Sequence, residues 1–450
     1  MKRVLAVFFL FTFLVCALCG CTPTLTGVDN LMRPPKLSGE NAGIEEAFSR
    51  ATANRSIKMK TPTTGEYRSA YVLKDIDGDA EEEVITFYCN ANDETAVYMH
   101  ILDRVEERWE TVADIKGKGS EVDKIDFCDM NGDGVAEIVV CWSLFESSGS
   151  KVMTVYTAAF GKNTGTVREL ASEPFSQMVH IDMNADENDD ILLVLLTSEN
   201  GKNRTVAKLL MMDSEFGIYC PGSVALIPAL RVSSLQSQKA NRADNLQALV
   251  YADCVLNETT AVTEIIYWDA QASCLCAPLT ADNASDAPQT ARAVNLLTAD
   301  VEKDGRLEIP TAKPLENAVT VNSSDEQPLE LTTWLQFDGE SLQVKTQGLM
   351  INSSAYMFRL SEAEAETMAI VNNIPDRTCT FYARGADGVR GHVLFELVVF
   401  PATERTRRRP TEYVTLTESS TLTYNYRITE YGTQTGVDSA YLETHFVLIQ

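Results

Sequence analysis

The chain has 450 residues, a formal net charge of −26 at pH 7 and 45% hydrophobic residues. This length supports more than one domain. The excess of acid argues against a nucleic-acid partner and against a protein that lies flat on anionic lipid, because both partners are negatively charged.

The N-terminal segment has the pattern of an export signal. Residues 1–3 are Met-Lys-Arg, and the apolar run Val4–Val15 has signal-peptide length. Leu18-Cys19-Gly20-Cys21 matches the bacterial lipobox, in which the last Cys is acylated; the alternative is a plain signal peptide cut nearby. We expect residues 1–20 to be removed. The lipid on Cys21 would then anchor the protein to the extracytoplasmic face of the cell membrane, since several acyl chains hold firmly.

Residues 21–66 are predicted to be a tether followed by a short helix. Pro23, Pro34 and Pro35 favour an extended linker, and Glu45–Thr52 has the composition of one or two helical turns. No later apolar run reaches the roughly 18 residues that a membrane-spanning helix needs.

The segment Asp129–Glu137 has the pattern of a cation-binding loop. Oxygen side chains stand at its positions 1, 3, 5 and 9, and a backbone carbonyl from Val135 can fill the remaining gap. An EF-hand would need Glu at position 12, where Val140 stands, so a helix-loop-helix is excluded. The apolar run Ile138–Trp142 predicts that the loop opens into a strand.

The same acidic loop occurs four times, and each copy has acids at positions 1, 5 and 9. The candidate ligands, with the loops numbered by their repeat, are Asp75, Asp77, Asp79 and Glu83 in loop 1; Asp129, Asn131, Asp133 and Glu137 in loop 2; Asp182, Asn184, Asp186 and Asp190 in loop 3; and Asp300, Glu302, Asp304 and Glu308 in loop 5. The first three loops are spaced by about 54 residues and the last by about twice that, so a fourth repeat has lost its loop. The strand pattern at 248–252 places Lys239, Ala243 and Gln247 at its three acid positions.

A fixed period of this size, with four short strands in each unit, is typical of β-propeller blades. The acidic loops and the strands behind them resemble the FG-GAP/VCBS repeats of integrin-α-like β-propellers, whose signature is Asp-x-Asp/Asn-x-Asp-Gly-x-x-Asp before an apolar strand. The resemblance covers about residues 68–346, and Glu replaces the last Asp in three copies. It implies an all-β dominated protein with a propeller of five visible repeats over residues 67–347.

Calcium is the cofactor that the acidic loops predict. Three convergent carboxylates repel one another unless a cation lies among them, and loop 2 has the most regular pattern. The role of the metal would be structural, with an affinity of roughly 10⁻⁴ to 10⁻³ M. The alternative is a set of metal-free Asx turns, which Asp and Asn at such spacing also form.

Residues 348–450 have a different pattern, which predicts a small C-terminal α+β domain or, alternatively, an irregular closing blade. Ser361–Glu364 reads as a capping box, so we expect a helix to about Asn372. The predicted strands cover residues 378–382, 392–400, 413–416, 421–428 and 441–449.

The cysteine and histidine patterns predict no catalytic site. Eight cysteines follow Cys21; an even number outside the cytoplasm suggests disulfides, but most lie in apolar strand patterns that favour buried thiols. Cys274-x-Cys276 is neither the usual redox motif nor the usual zinc motif. His100 and His180 lie in strand patterns and are expected to be satisfied locally.

The resemblance implies a surface-anchored binding or scaffolding module, with a cell-wall glycan or a surface protein as its ligand. The alternative is an exported carbohydrate-active enzyme, a glycosidase or lyase, on a propeller scaffold. Arg405–Pro410 is either a contact for an anionic polymer or a solvated hairpin tip. Recognition is expected from loops opposite the acidic loops, near residues 116–121, 172–175, 222–226 and 281–290.

Overall fold

A computed structural model describes residues 39–53, 55–144, 150–158, 167–239, 248–385, 389–404 and 412–449. Cys21, Ala243, Gln247 and the basic run 405–410 lie outside these residues. The described chain is mostly β-strand with short helices, which confirms an all-β dominated protein. Within these ranges no helix is long and apolar enough to cross a membrane.

The first sheet is preceded by one helix, as predicted. Helix α1 (Gly39–Ala51) buries Ile44 and Phe48 against Trp109. The strands of this sheet are β1 (Ile57–Lys60), β2 (Tyr71–Lys74), β3 (Glu83–Asn90), β4 (Asp93–Val105) and β5 (Arg108–Lys116). Strands β1 and β2 pair with successive halves of the same edge of β3, so residues before the first repeat extend its sheet.

The next three repeats each form an antiparallel sheet with four strands paired in chain order, to which the fourth repeat adds a short fifth strand; this confirms the predicted unit of four strands. The second sheet contains β6 (Glu121–Cys128), β7 (Glu137–Ser143), β8 (Lys151–Thr157) and β9 (Arg168–Phe175). The third contains β10 (Gln177–Ile181), β11 (Asp190–Glu199), β12 (Lys202–Met212) and β13 (Ile218–Leu226). The fourth contains β14 (Arg231–Gln238), β15 (Leu249–Val255), β16 (Thr260–Asp269) and β17 (Cys274–Cys276), followed by α2 (Thr280–Asn283) and by β18 (Arg292–Ala293), which pairs with β16.

Neighbouring sheets share apolar cores, and this explains the unbroken apolar runs behind the acidic loops. In β7, Ile138 and Val140 pack with the first sheet, whereas Val139 and Cys141 pack with the third. Successive side chains of a strand point to opposite faces. A strand covered on both faces is therefore apolar at every position rather than at every second one.

The fifth repeat and the C-terminal residues form one ten-stranded sheet. Its elements are β19 (Glu308–Asn322), β20 (Asp325–Phe337), β21 (Leu342–Ile351), β22 (Tyr356–Arg359), α3 (Glu362–Glu366), β23 (Met368–Asn373), β24 (Thr378–Arg384), β25 (Arg390–Pro401), β26 (Val414–Glu418), β27 (Leu422–Ile428), α4 (Glu430–Gln434), α5 (Ser439–His445) and β28 (Phe446–Leu448), with 3₁₀ turns at Asn352–Ser354 and Ala402–Glu404. Strands β19 and β23 pair in parallel, and position 348 lies inside β21. Strands from both sides of that position therefore share a single core around Phe358, Phe381 and Phe395.

Two C-terminal predictions were wrong. The capping box of Ser361 and Glu364 is present, but its helix ends at Glu366 and β23 follows, because pairing with both β19 and β24 overrides the helical pattern. The strand predicted for residues 441–449 is instead α5 followed by β28. Asp438 caps this helix by accepting the Tyr441 amide at 2.8 Å.

Candidate metal centre

Each acidic loop connects two antiparallel segments of its sheet, and its last acid begins the second strand. This position explains why these acids are buried: Glu83, Glu137, Asp190 and Glu308 are at most 2% exposed. One carboxylate oxygen of each accepts the amide of the second loop residue, at 2.8 Å in loop 1 and 3.0 Å in the others. Burial raises the pKa of Glu83 to about 8 and that of the other three to about 7.

The first acid of each loop organises the turn by accepting backbone amides. Asp75 accepts the amides of Gly78 and Ala80 at 2.8 and 3.0 Å, and Asp129 accepts those of Gly132 and Gly134 at 2.8 and 2.9 Å. The Asx turns of the metal-free interpretation are therefore present. These turns do not exclude a bound cation. A carboxylate has about four acceptor sites, so Asp75 and Asp129 each have two left to bind a cation.

Loop 1 brings three carboxylates together. Oxygen atoms of Asp75, Asp77 and Glu83 lie within 4.8 Å of one another, the only such group of three acids, histidines or cysteines among the described residues. The Oε1 atom of Glu83 is buried and has no hydrogen-bond partner. A buried acceptor without a donor, on a residue grouped with two further carboxylates, suits a hard cation such as calcium, which takes oxygen ligands.

In loops 2 and 3, one acidic side chain accepts a hydrogen bond from an asparagine side chain of the same loop. The side-chain amide of Asn131 donates to Asp133 at 3.0 Å, and that of Asn184 donates to Asp186 at 2.8 Å. In loop 1 the same position holds Asp77, which cannot donate when ionised. The sequence favoured loop 2 because its pattern is the most regular, whereas the three carboxylates that converge in the structure belong to loop 1.

Loop 5 is neutralised by basic side chains from elsewhere in its sheet. Arg359 binds both oxygens of Glu302 at 2.8 and 2.9 Å, and Lys345 donates to Asp304 at 3.1 Å. The buried Oε1 of Glu308 accepts Gln336 Nε2 at 3.1 Å. Loop 5 thus has the sequence motif of a cation site, but its acidic side chains are already paired with protein donors. No local signal reveals this, because the basic residues are more than 40 positions downstream.

The first three loops lie side by side. A Cβ atom at Gly78 would stand 2.7 Å from Val135 of loop 2, and the Asp189 amide of loop 3 donates to the Asp129 carbonyl at 2.8 Å. Beside loop 3, the fourth repeat supplies Lys239 in place of the first acid. Lys239 lines a cavity of about 290 Å³ with His180 and Asp189. His180 lowers the pKa of Asp189, and Lys239 adds to the effect.

The repeat without an acidic loop contains a buried charge network. The Asp253 carboxylate, 1% exposed, accepts the Arg292 guanidinium at 2.5 Å, the Thr263 and Thr298 hydroxyls at 2.7 Å each, and the Thr298 amide at 2.9 Å. The side chain of Arg292 is fully buried and also donates to the Leu296 carbonyl at 2.7 Å. This network fixes the connection between the fourth and fifth repeats, and no local sequence motif predicts it.

The histidines differ from one another. His100 is satisfied as predicted, with Nδ1 3.3 Å from Asp114 and Nε2 3.2 Å from the Thr111 hydroxyl. The prediction that His180 is satisfied locally was wrong. Its Nδ1 atom is buried without a hydrogen-bond partner, and the distance from Nδ1 to the Asp189 carboxylate is 3.9 Å.

All eight described cysteines are free thiols. Five of them are buried, as the strand patterns favoured, and belong to the sheets: Cys89, Cys128, Cys141, Cys254 and Cys379. Cys220 is exposed, and Cys274 and Cys276 are half-buried.

Two of the four expected recognition loops are not free loops. Residues 172–175 and 222–226 lie within β9 and β13. In the segment 281–290, Asn283 and Thr290 are buried and bonded to each other at 2.8 Å. Two of the four variable segments are therefore strand ends, whereas 281–290 is a mostly exposed segment held in place by its two buried residues.

No family model and no curated protein matches the chain. Solved structures similar to it include a rhamnogalacturonan lyase (PL11) of Bacillus licheniformis, which is 12% identical over 75% of this chain and 71% of that one, with a TM-score of 0.29. Another is a GH43 β-1,3-galactosidase with galactodeoxynojirimycin, which is 9% identical over 64% of this chain and 97% of that one, with a TM-score of 0.23. TM-scores this low establish neither a common fold nor a common activity.

Proposed function

We propose that this protein is a calcium-stabilised β-propeller that acts as a binding or scaffolding module at the cell surface, anchored by lipid on Cys21. The observation that carries the proposal is the group of Asp75, Asp77 and Glu83, with its buried, unpartnered Glu83 oxygen. In this proposal the successive four-stranded sheets are the blades. Their apolar faces support it, since the central strands of the second, third and fourth sheets each pack against the sheet before and the sheet after.

A binding role agrees with how the polar groups are distributed. The one place where three potential metal ligands converge, within the described ranges, is an acidic loop whose role is to hold a turn. Calcium there would be structural, because calcium activates water poorly compared with zinc. The competing enzyme would need a separate pair of carboxylates set for glycoside chemistry, roughly 5 to 10 Å apart.

Binding and turnover can be separated directly. Purified protein passed over cell-wall polysaccharides and surface-protein extracts is expected to be retained by one ligand class in calcium and released by a calcium chelator. The same glycans are assayed in parallel for released sugar or unsaturated product. Sustained turnover in chelator, abolished by one carboxylate substitution outside the acidic loops, would overturn the binding role in favour of the enzyme.

The lipid anchor has its own test. In cells labelled with a radioactive fatty acid, the wild-type protein is expected to incorporate label and fractionate with membranes. Cys21→Ser is expected to lose both properties, because serine lacks the thiol that carries the lipid. Cys19→Ser is the matched control and should behave as wild type; normal labelling of Cys21→Ser would exclude this anchor.

A further inference from the structure

The hairpin of β16 and β17 carries a pair of thiols at the edge of the fourth sheet. Cys274 Sγ and Cys276 Sγ lie 3.7 Å apart, and both residues are half-buried. The register places Asp269 opposite Cys274 and Tyr267 opposite Cys276. Directly opposite residues share a face of the sheet, so these four side chains form one polar cluster, which we call the thiol cluster.

A disulfide fits this strand poorly. Residues i and i+2 of a β-strand are separated by about 6.6 Å, and their Cβ atoms point the same way at a similar separation. A disulfide needs Cβ atoms roughly 3.5 to 4.5 Å apart. The two sulfurs therefore approach through their side-chain rotamers, while the strand that carries them resists a direct bond.

The separation suits a shared metal ion instead. With zinc–sulfur bonds of about 2.3 Å and tetrahedral angles, two thiolates on one ion stand roughly 3.8 Å apart. Asp269 adds negative charge on the same face; its Oδ1 holds the turn by accepting the Gln271 and Ala272 amides at 2.8 and 3.0 Å. The ring of Tyr267 borders the cluster and lies 6.5 Å from that of Phe337.

We propose that Cys274 and Cys276 form a two-thiolate site for a soft divalent cation of the zinc class. Binding releases the two thiol protons to solvent, and water completes the coordination. The site is independent of the acidic loops, whose carboxylate oxygens select hard cations such as calcium, whereas sulfur ligands select softer ones. Because Cys274 and Cys276 are only half-buried, an ion can reach their sulfur atoms from solvent. The five buried cysteines do not offer such access.

The test is titration of the reduced mature protein, from which residues 1–20 are removed and in which Cys21 carries its lipid, with Co²⁺ and Cd²⁺ in excess calcium, which keeps the acidic loops filled. The wild type is expected to develop a thiolate-to-metal charge-transfer band that saturates with one ion per chain. Cys274→Ser and Cys276→Ser should each weaken binding at least about tenfold. Cys220→Ser is the matched control, since Cys220 is exposed and bonds only its neighbouring Gly222 carbonyl.

Circular dichroism and melting of each variant exclude loss of folding as the cause of weaker binding. A wild type without the band, or a band that survives in Cys274→Ser and Cys276→Ser, would overturn the proposal. So would thiol titration of protein purified without reductant, if it shows two fewer free thiols in the wild type and restores one of them in Cys276→Ser. That outcome identifies a disulfide rather than a metal site.

Discussion

Substitution of Arg292 by leucine is expected to lower the free energy of unfolding by about 3 to 5 kcal/mol, because it leaves a buried carboxylate without its cation. Asp253 is 1% exposed and keeps only the Thr263 and Thr298 donors once Arg292 is removed. The measurement is equilibrium denaturation, with the midpoint and its slope compared between variant and wild type.

Two further variants make this result specific. Asp253→Asn combined with Arg292→Leu is expected to recover much of the lost stability, because no unpaired charge remains. Arg427→Leu removes a partly exposed arginine that pairs with Glu396 and Glu412 at 3.4 and 3.2 Å, and should cost at most about 1 kcal/mol. Equal effects of Arg292→Leu and Arg427→Leu would show that the buried network contributes nothing special.

The stability of the chelated protein is expected to fall as pH rises, and calcium should restore it. The pKa of Glu83 is raised to about 8 by burial, from about 4.3 in an unfolded chain. Between these values the unfolded state has lost its proton and the folded state retains it. Stability therefore decreases as pH rises through this window, and the full penalty, about 3 to 5 kcal/mol, is present above pH 8.

Glu83→Gln isolates this contribution, because glutamine keeps the shape of the side chain and removes its charge. In chelator the variant should melt above the wild type at pH 8.5 and equal it near pH 4. At roughly 10 mM calcium the wild type should gain about 1 to 3 kcal/mol, and Glu83→Gln should lose most of that gain.

Glu308→Gln is the matched control for calcium. The same position in loop 5 already faces Gln336, and its loop contains the Arg359 and Lys345 pairs, so its calcium response should equal that of the wild type. A wild-type melting temperature that is the same in calcium and chelator at pH 8.5 would leave the Asx turns as the whole role of the loops.

The repeated sheets could be predicted from the sequence because the residues that determine each loop and the strand after it are neighbours in the chain. An acidic loop followed by an apolar run such as Ile138–Trp142 fixes both the turn and the strand that follows it. Because β7 is covered on both faces, the run is continuous, and that pattern is visible in one stretch of sequence.

The rest of the fold depends on residues distant in sequence. The helix predicted beyond Glu366 gave way to β23 because β19, about 50 residues earlier, offers it a parallel partner. The differences between the acidic loops depend equally on distant residues. Loop 1 keeps three converging carboxylates, whereas loop 5 receives Arg359 from a distant strand, and no short motif distinguishes the two cases.

The ten-stranded sheet also determines the order in which the protein is expected to fold. The second and third sheets pair only strands that follow one another in the chain. Strand β22 instead pairs with β28, which lies about 90 residues further along the sequence. Contacts between distant residues form slowly. Pulse-labelled hydrogen exchange should therefore show β22 and β28 protected last. Until then the edge of β22 is unpaired, and this interval is when newly made chains are most prone to associate with one another.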